Sequence, residues 1–161
     1  MIIRPLNRQT DMDGLRDCLI ELQDFEREID PRMPPGKEIA DDYIFEMLED
    51  CETCDGAIIV ADDDGHIAGY ATILTRVQTD SVDDGDVEFG LISDLVVQRH
   101  YRRSGYGLRL IREAEAIARA KKVRWLRISV LAANHVSRRL YTELGYKELH
   151  LDLEKDFRAE E

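Results

Sequence analysis

A mixed α/β fold, with one central sheet and helices on both of its faces, is the architecture this sequence predicts. The first sign is a pair of apolar runs, 57–62 and 67–77, separated by Asp63-Asp64-Gly65, which reads as a hairpin. The second is the apolar run Leu91–Val97, followed by a glycine-bearing turn and a long stretch of helical periodicity. The third is another strand and helix after that one. Hairpin, strand, helix, strand, helix and a last strand, in that order, imply a mixed sheet covered on both faces.

Residues 2–5 read as the first strand. Thr10 is a suitable N-cap, with Asp11 and Asp13 in the first turn that follows. Leu15, Cys18, Leu19, Leu22 and Phe25 recur at helical spacing, which predicts an amphipathic helix over 11–29. Pro31, Pro34, Pro35 and Gly36 end it. A second helix is expected over 38–51, with Ile39, Tyr43, Met47 and Leu48 inward. After the hairpin comes an acidic loop at 79–86. The spacing then predicts a strand over 87–98, a helix over 104–121, a strand over 124–131, a helix over 134–144 and a final strand near 146–154. Gly145 stands where a helix C′ glycine belongs. With no repeat and no linker, residues 1–161 are expected to form a single domain.

Composition excludes several classes. The 43% apolar and 35% charged content suits a globular chain with a real core. No apolar run approaches the ~20 residues of a membrane span, and no signal peptide is expected. The three cysteines, an odd number, argue for free thiols and a cytoplasmic location. Cys51-x-x-Cys54 has no second pair, and His66, His100, His135 and His150 are scattered, so no metal site is expected. Residues 98–141 carry twelve Lys/Arg against Glu113 and Glu115, while residues 1–97 carry seven against twenty-five Asp/Glu. The basic half suits a polyanionic cofactor. Overall acidity and the lack of an aromatic platform argue against nucleic acid.

Arg102-Arg103-Ser104-Gly105-Tyr106-Gly107 lies between the Val97-ending strand and the third helix. Its glycines allow a sharp turn, and the helix start presents free N–H groups and a partial positive charge, which is the makings of a phosphate site. A Walker loop would need Lys-Ser or Lys-Thr where Leu108-Arg109 stands, and a dinucleotide fingerprint would need a third glycine.

Arg-x-x-Gly-x-Gly after a strand ending in Val resembles the pyrophosphate turn of the GNAT superfamily of acyl-CoA-dependent N-acyltransferases. The segment 133–146 is similar to that family's last block, with Asn134, Ser137, Leu140, Tyr141, Leu144, Gly145 and Tyr146 at matching spacings. Together the two blocks cover roughly residues 87–155. The resemblance implies a GNAT fold, with a central mixed sheet of about six to seven strands flanked by about four helices. It also implies acetyl-CoA as cofactor and transfer of its acetyl group directly to a primary amine.

By that resemblance, Arg102, Arg103, Ser104, Gly105, Tyr106, Gly107 and Leu108 cradle the pyrophosphate, largely through backbone N–H groups. Leu95, Val96 and Val97 bind the pantetheine arm at a strand end splayed from its neighbour, and the Val97 N–H is the oxyanion donor. Asn134 and Ser137 match cofactor-contacting positions, although Asn134 also suits a plain N-cap. Tyr141 matches the general acid that donates toward the CoA sulfur, and its alternative is a half-buried aromatic on a helix. Where several members carry a glutamate base, this chain has Ser93. Asp94 is favoured as base, although strand alternation would aim it at the other face unless a bulge intervenes. Glu88, Glu26, Asp30 and an ordered water are the alternatives. Glu26, Asp30, Glu88 and Ser93 are the expected acceptor-side residues. Arg103 and Arg99 replace the family's more usual glycine and proline.

The acceptor is expected to be a small-molecule or peptidic amine, cationic if the acidic residues border its pocket. The alternative is a solvated acidic surface. No nucleic acid or membrane partner is expected, and a homodimer is the assembly to test. With the glutamate missing, a non-catalytic acyl-CoA-binding sensor or scaffold is the alternative function.

Overall fold

The computed structural model describes residues 1–160. Its elements are β1 (Ile2–Pro5), α1 (Met12–Ile29), α2 (Gly36–Thr53), β2 (Ala57–Asp63), β3 (His66–Gln78), β4 (Glu88–Val97), α3 (Tyr106–Ala120), β5 (Leu126–Ile128) and α4 (His135–Glu143). Residues 1–129 make one compact unit, and those from 130 onward a second.

In the first unit the sheet runs β1-β2-β3-β4-β5; β4 and β5 are parallel and the other pairs antiparallel. It is the expected mixed sheet with fewer strands. The segment 146–154, expected as a strand, has no strand structure, and the strand expected over 124–131 is confined to Leu126–Ile128. The alternation of Leu149, Leu151 and Leu153 offers an apolar face, but all three are exposed. A strand needs ladder bonds from a neighbour as well as a periodic sequence.

Alternating strand residues divide the core in two. Leu15, Cys18 and Leu19 of α1 and Ala40, Ile44 and Met47 of α2 pack on Ile58, Val60, Tyr70 and Val96. On the opposite face, Leu110, Ala114 and Ala118 of α3 pack on Ile59, Ala61, Ala71, Ile73 and Ile92. Burial of these faces supplies most of the favourable free energy of folding.

Thr10 is not the cap of α1. Asp11 holds that place, with its side chain turned to Arg4: Arg4 Nη1 meets Asp11 Oδ2 at 2.6 Å and Nη2 meets Oδ1 at 3.0 Å. The Asp64-Gly65 turn has positive φ at both residues, 52° and 89°, as a two-residue hairpin requires.

Candidate active site

The pairing of β3 with β4 sets Thr72 opposite Asp94 but Ile73 opposite Ile92, so Ser93 is a bulge. A strict two-residue period would put Asp94 on the same face as Ile92. The bulge inverts it: Ile92 packs toward α3, whereas Asp94 accepts a hydrogen bond from Tyr43 Oη of α2 at 2.8 Å. Ser93 Oγ donates to the other carboxylate oxygen at 3.2 Å. Asp94 is 6% exposed. Burial raises its carboxyl above the ordinary range, and the Tyr43 and Ser93 hydrogen bonds act in the opposite direction.

Three more groups gather on that face. Glu26 extends the buried stripe of α1, eleven residues after Leu15, at helical phase. Burial first, and then the Asp94 charge, raise its carboxyl. The Tyr43 hydroxyl is held above its usual value by burial and by Asp94. Tyr70 of β3 is fully buried, and among the described residues its hydroxyl is the one buried side-chain oxygen without a hydrogen-bond partner.

Asp30 and Glu88 are engaged elsewhere. Asp30 binds the Arg32 guanidinium through both oxygens, at 2.8 and 2.7 Å, which holds its carboxyl at about 2. Glu88 opens β4 and lies 3.6 Å from Arg76. At about 3.3 Å per residue it sits roughly 20 Å along the strand from Asp94.

Past Ile92, β4 pairs with β3 alone, because β5 reaches only Gly90–Ile92. One edge of Leu95-Val96-Val97 is therefore open. Gln98 N–H donates to Ala68 O at 2.9 Å. Alternation then turns the backbone groups of Val96 toward β3, and those of Leu95 and Val97 toward the open edge. Gly69 sits opposite Val97, where a Cβ would fall 2.3 Å from Val96 O, so only glycine permits this approach.

The open edge leads into the turn. Arg102 Nε donates to Val97 O at 3.1 Å, and its guanidinium lies over the Phe25 ring and 3.8 Å from Glu21. Glu21 also accepts the Arg99 N–H. Arg103 and Gly105 adopt left-handed φ values of 64° and 79°. The α3 ladder opens with Arg109 N–H to Gly105 O at 3.1 Å. Among the described residues, the N–H groups of Arg103, Ser104, Gly105, Tyr106, Gly107 and Leu108 donate to no protein acceptor. Beside the turn lies a cleft of about 370 Å³ that meets Asp17, Glu21, Asp24 and Glu28 on one side and Arg99 and Arg102 on the other.

The second unit carries the other matched residues. Asn134 caps α4, its side chain accepting the Ser137 N–H at 3.2 Å. Tyr141 is 8% exposed and meets Tyr146 edge-on at 6.1 Å. Gly145 has the positive φ of a C′ residue, 92°.

Reasoning from sequence missed Tyr43 and Tyr70 as site residues. Tyr43 is read as core, and Tyr70 lies unremarked in an apolar strand. The available signal for Tyr70 is a phenol in the stretch 67–74, otherwise made of aliphatic residues, Gly69 and Thr72, because a buried hydroxyl calls for a partner.

The aimed carboxyl, the open strand edge and the amide-lined turn supply a proton acceptor, free strand hydrogen-bonding groups and phosphate-directed N–H groups along one stretch of chain. The chain belongs to the acetyltransferase (GNAT) family, whose profile matches residues 20–146, extending well before the two motif blocks. A sequence comparison with curated proteins found no match. Among solved structures it is similar to a tetramutant of the BH1408 protein from Bacillus halodurans, at 19% identity and a TM-score of 0.82, covering 98% of this chain and 100% of that one. It is also similar to the aminoglycoside N-acetyltransferase AAC(6')-Iy in complex with CoA, at 20% identity and a TM-score of 0.66, covering 96% and 98%. A third is the aminoglycoside 6'-N-acetyltransferase AAC(6')-IG from Acinetobacter haemolyticus, at 16% identity and a TM-score of 0.68, covering 97% of each chain.

Proposed function

We propose that this protein is an acetyl-CoA-dependent N-acetyltransferase acting on a primary amine that carries positive charge. The observation that carries this reading is a run of free backbone donors in two parts, Leu95 and Val97 on the open edge of β4 and the amides of residues 103–108 in the turn that follows. A diphosphate with an amide-bearing arm matches such a run: phosphate oxygens take the turn amides, and the arm's amides pair with the strand edge.

Acetyl-CoA supplies an activated thioester. This chain's residues do the rest. The amides of residues 103–108, with Arg102 and Arg103, hold the pyrophosphate. Leu95 and Val97 orient the arm through backbone, and the Val97 N–H donates to the carbonyl oxygen as negative charge builds there. Asp94 takes the acceptor's proton, directly or through a water, and its raised affinity for protons suits a base working nearer neutrality. Tyr141 donates a proton toward the leaving sulfur, a role taken from its matching position in the family. Asn134 and Ser137 are assigned to cofactor contact on the same ground.

Glu26 beside Asp94, together with the acidic α1 side of the cleft, favours a cationic acceptor. The two aminoglycoside acetyltransferase relatives also act on amines. The reading places the work in the cytoplasm; among the described residues no helix is long and apolar enough to cross a membrane.

The test is release of CoA thiol from acetyl-CoA with a panel of amines at two salt concentrations. Polyamines, aminoglycosides or basic peptides should outperform acidic or zwitterionic amino acids, with kcat/KM falling as salt rises. CoA binding with no transfer to any amine would leave a non-catalytic acyl-CoA sensor.

A further inference from the structure

The buried face between α1, α2 and the sheet holds two carboxyls without a cation. Asp94 is nearly fully buried and Glu26 is half-buried, and the charge of Asp94 acts on Glu26. Among the described residues neither carboxyl has a salt bridge to Lys, Arg or His. Buried carboxylates are normally paired with a cation or protonated. An acidic pair alone does not define a ligand. The second observation is Tyr70, whose hydroxyl is fully buried, has no partner, and feels the charges of Asp94 and Glu26. An orphaned hydroxyl in a packed core is destabilising unless something comes to meet it.

Thr72 and Asp94 face each other across the β3–β4 ladder, and Tyr70 lies two residues before Thr72 on the same side of β3. Tyr43 closes the arrangement from α2, with its O–H already committed to Asp94. The group therefore presents three acceptors, two carboxylates and one phenolic oxygen, bordered by aromatic rings.

We propose that Asp94, Glu26 and Tyr70 form a tripod for a single unsubstituted ammonium group, the reacting –NH₃⁺ of the acceptor. Each of its three N–H bonds meets one acceptor, and the tyrosine rings add attraction for the cation. Tyr70 acts as a specificity residue, since it is the third arm that a secondary, tertiary or quaternary amine leaves unmet. Proton transfer from the bound ammonium to Asp94 leaves a neutral amine with a free lone pair and a protonated carboxyl, and charge balances within the site. The tripod deepens the reading of the site as an amine acetyltransferase and rests on it.

The probe is propylammonium chloride, with tetramethylammonium chloride as control, added to the CoA-loaded protein and followed by ligand-observed NMR. Propylammonium should bind and tetramethylammonium should not. Tyr70→Phe, which removes only the orphaned hydroxyl, should leave Tm unchanged or higher and weaken propylammonium about tenfold or more. Glu26→Gln, at the half-buried end of the α1 stripe, should weaken it similarly and serves as the independent variant. Equal binding of the two cations, absence of propylammonium binding, or binding unaffected by both substitutions would overturn the tripod. Thiol release with primary amines, run in parallel, separates the two ideas. Transfer with a KM indifferent to both substitutions removes the tripod and keeps the acetyltransferase. Tyr70-dependent binding without transfer to any amine keeps the tripod and removes the enzyme.

Discussion

The Tyr43 hydroxyl donates to Asp94 at 2.8 Å, tying α2 to β4 just past the Ser93 bulge. The bond orients the carboxyl and also restrains its proton affinity, because a donor to a carboxylate favours the charged form. Burial acts more strongly in the other direction, and the balance leaves Asp94 raised.

Asp94→Asn separates stability from activity. Because the folded pKa is raised, the folded protein keeps this proton to a higher pH than the unfolded chain does. The carboxylate therefore weakens the fold increasingly as pH climbs from the unfolded value to the folded one, and by a constant amount above it. The amide variant should match or exceed the parent's Tm at neutral pH, with the difference vanishing below about pH 4. Its kcat should fall about 100-fold or more if Asp94 is the base. Thermal melts at two pH values and steady-state rates check both halves.

Tyr43→Phe should move the acid limb of the kcat/KM profile. Losing the donor raises the Asp94 pKa further, so the limb shifts to higher pH. Glu26 from α1, Asp50 and Cys51 from α2, and Tyr70 from β3 share the field of this carboxyl. The measured limb accordingly reports the cluster. An unmoved limb would place the titrating base elsewhere.

Calorimetry on the turn distinguishes backbone from side-chain binding. CoA should bind much more strongly than pantetheine, which lacks the phosphates. Gly105→Asp should reduce CoA affinity sharply, through its φ of 79° and through a carboxylate set against the pyrophosphate. Arg103→Gly relieves a left-handed arginine and leaves the amides in place, so its affinity loss should be a few-fold at most.

Tyr141→Phe keeps the ring and removes the hydroxyl. For a proton donor to the departing sulfur, kcat should drop about 100-fold or more while CoA affinity stays near the parent value. Unchanged kcat under conditions where chemistry limits turnover would take Tyr141 out of the mechanism.

Gly69→Ala tests the strand edge from behind. The new Cβ would lie 2.3 Å from Val96 O, a backbone atom with little room to yield. Separating β3 from the end of β4 should destabilise the fold by about 1–3 kcal/mol. Because Val97 is displaced, kcat should fall further than stability alone explains, which urea titration and kinetics on the residual folded enzyme would show.

Local sequence was enough for the parts of this protein that depend on neighbours in the chain. The glycine-bearing turn, the amphipathic stripes of α1 and α3 and the Asp64-Gly65 hairpin follow from spacing and backbone preference, and each stands in the structure within a few residues of where the spacing places it. The Asn134 cap and the Gly145 C′ turn are of the same kind. Tertiary structure decided whatever depends on a partner across the sheet. Asp94 reaches the α1–α2 face only because pairing with β3 leaves Ser93 unmatched, and a register is a property of two strands. Glu26 and Tyr70, 44 positions apart in sequence, acquire their meaning from the same carboxyl. The unpaired edge beyond Ile92 arises because β5 stops at Ile128. Within the second unit, the alternating leucines of 149–153 form no strand. Periodicity supplies a face, but only a neighbouring strand supplies the hydrogen bonds that make it part of a sheet.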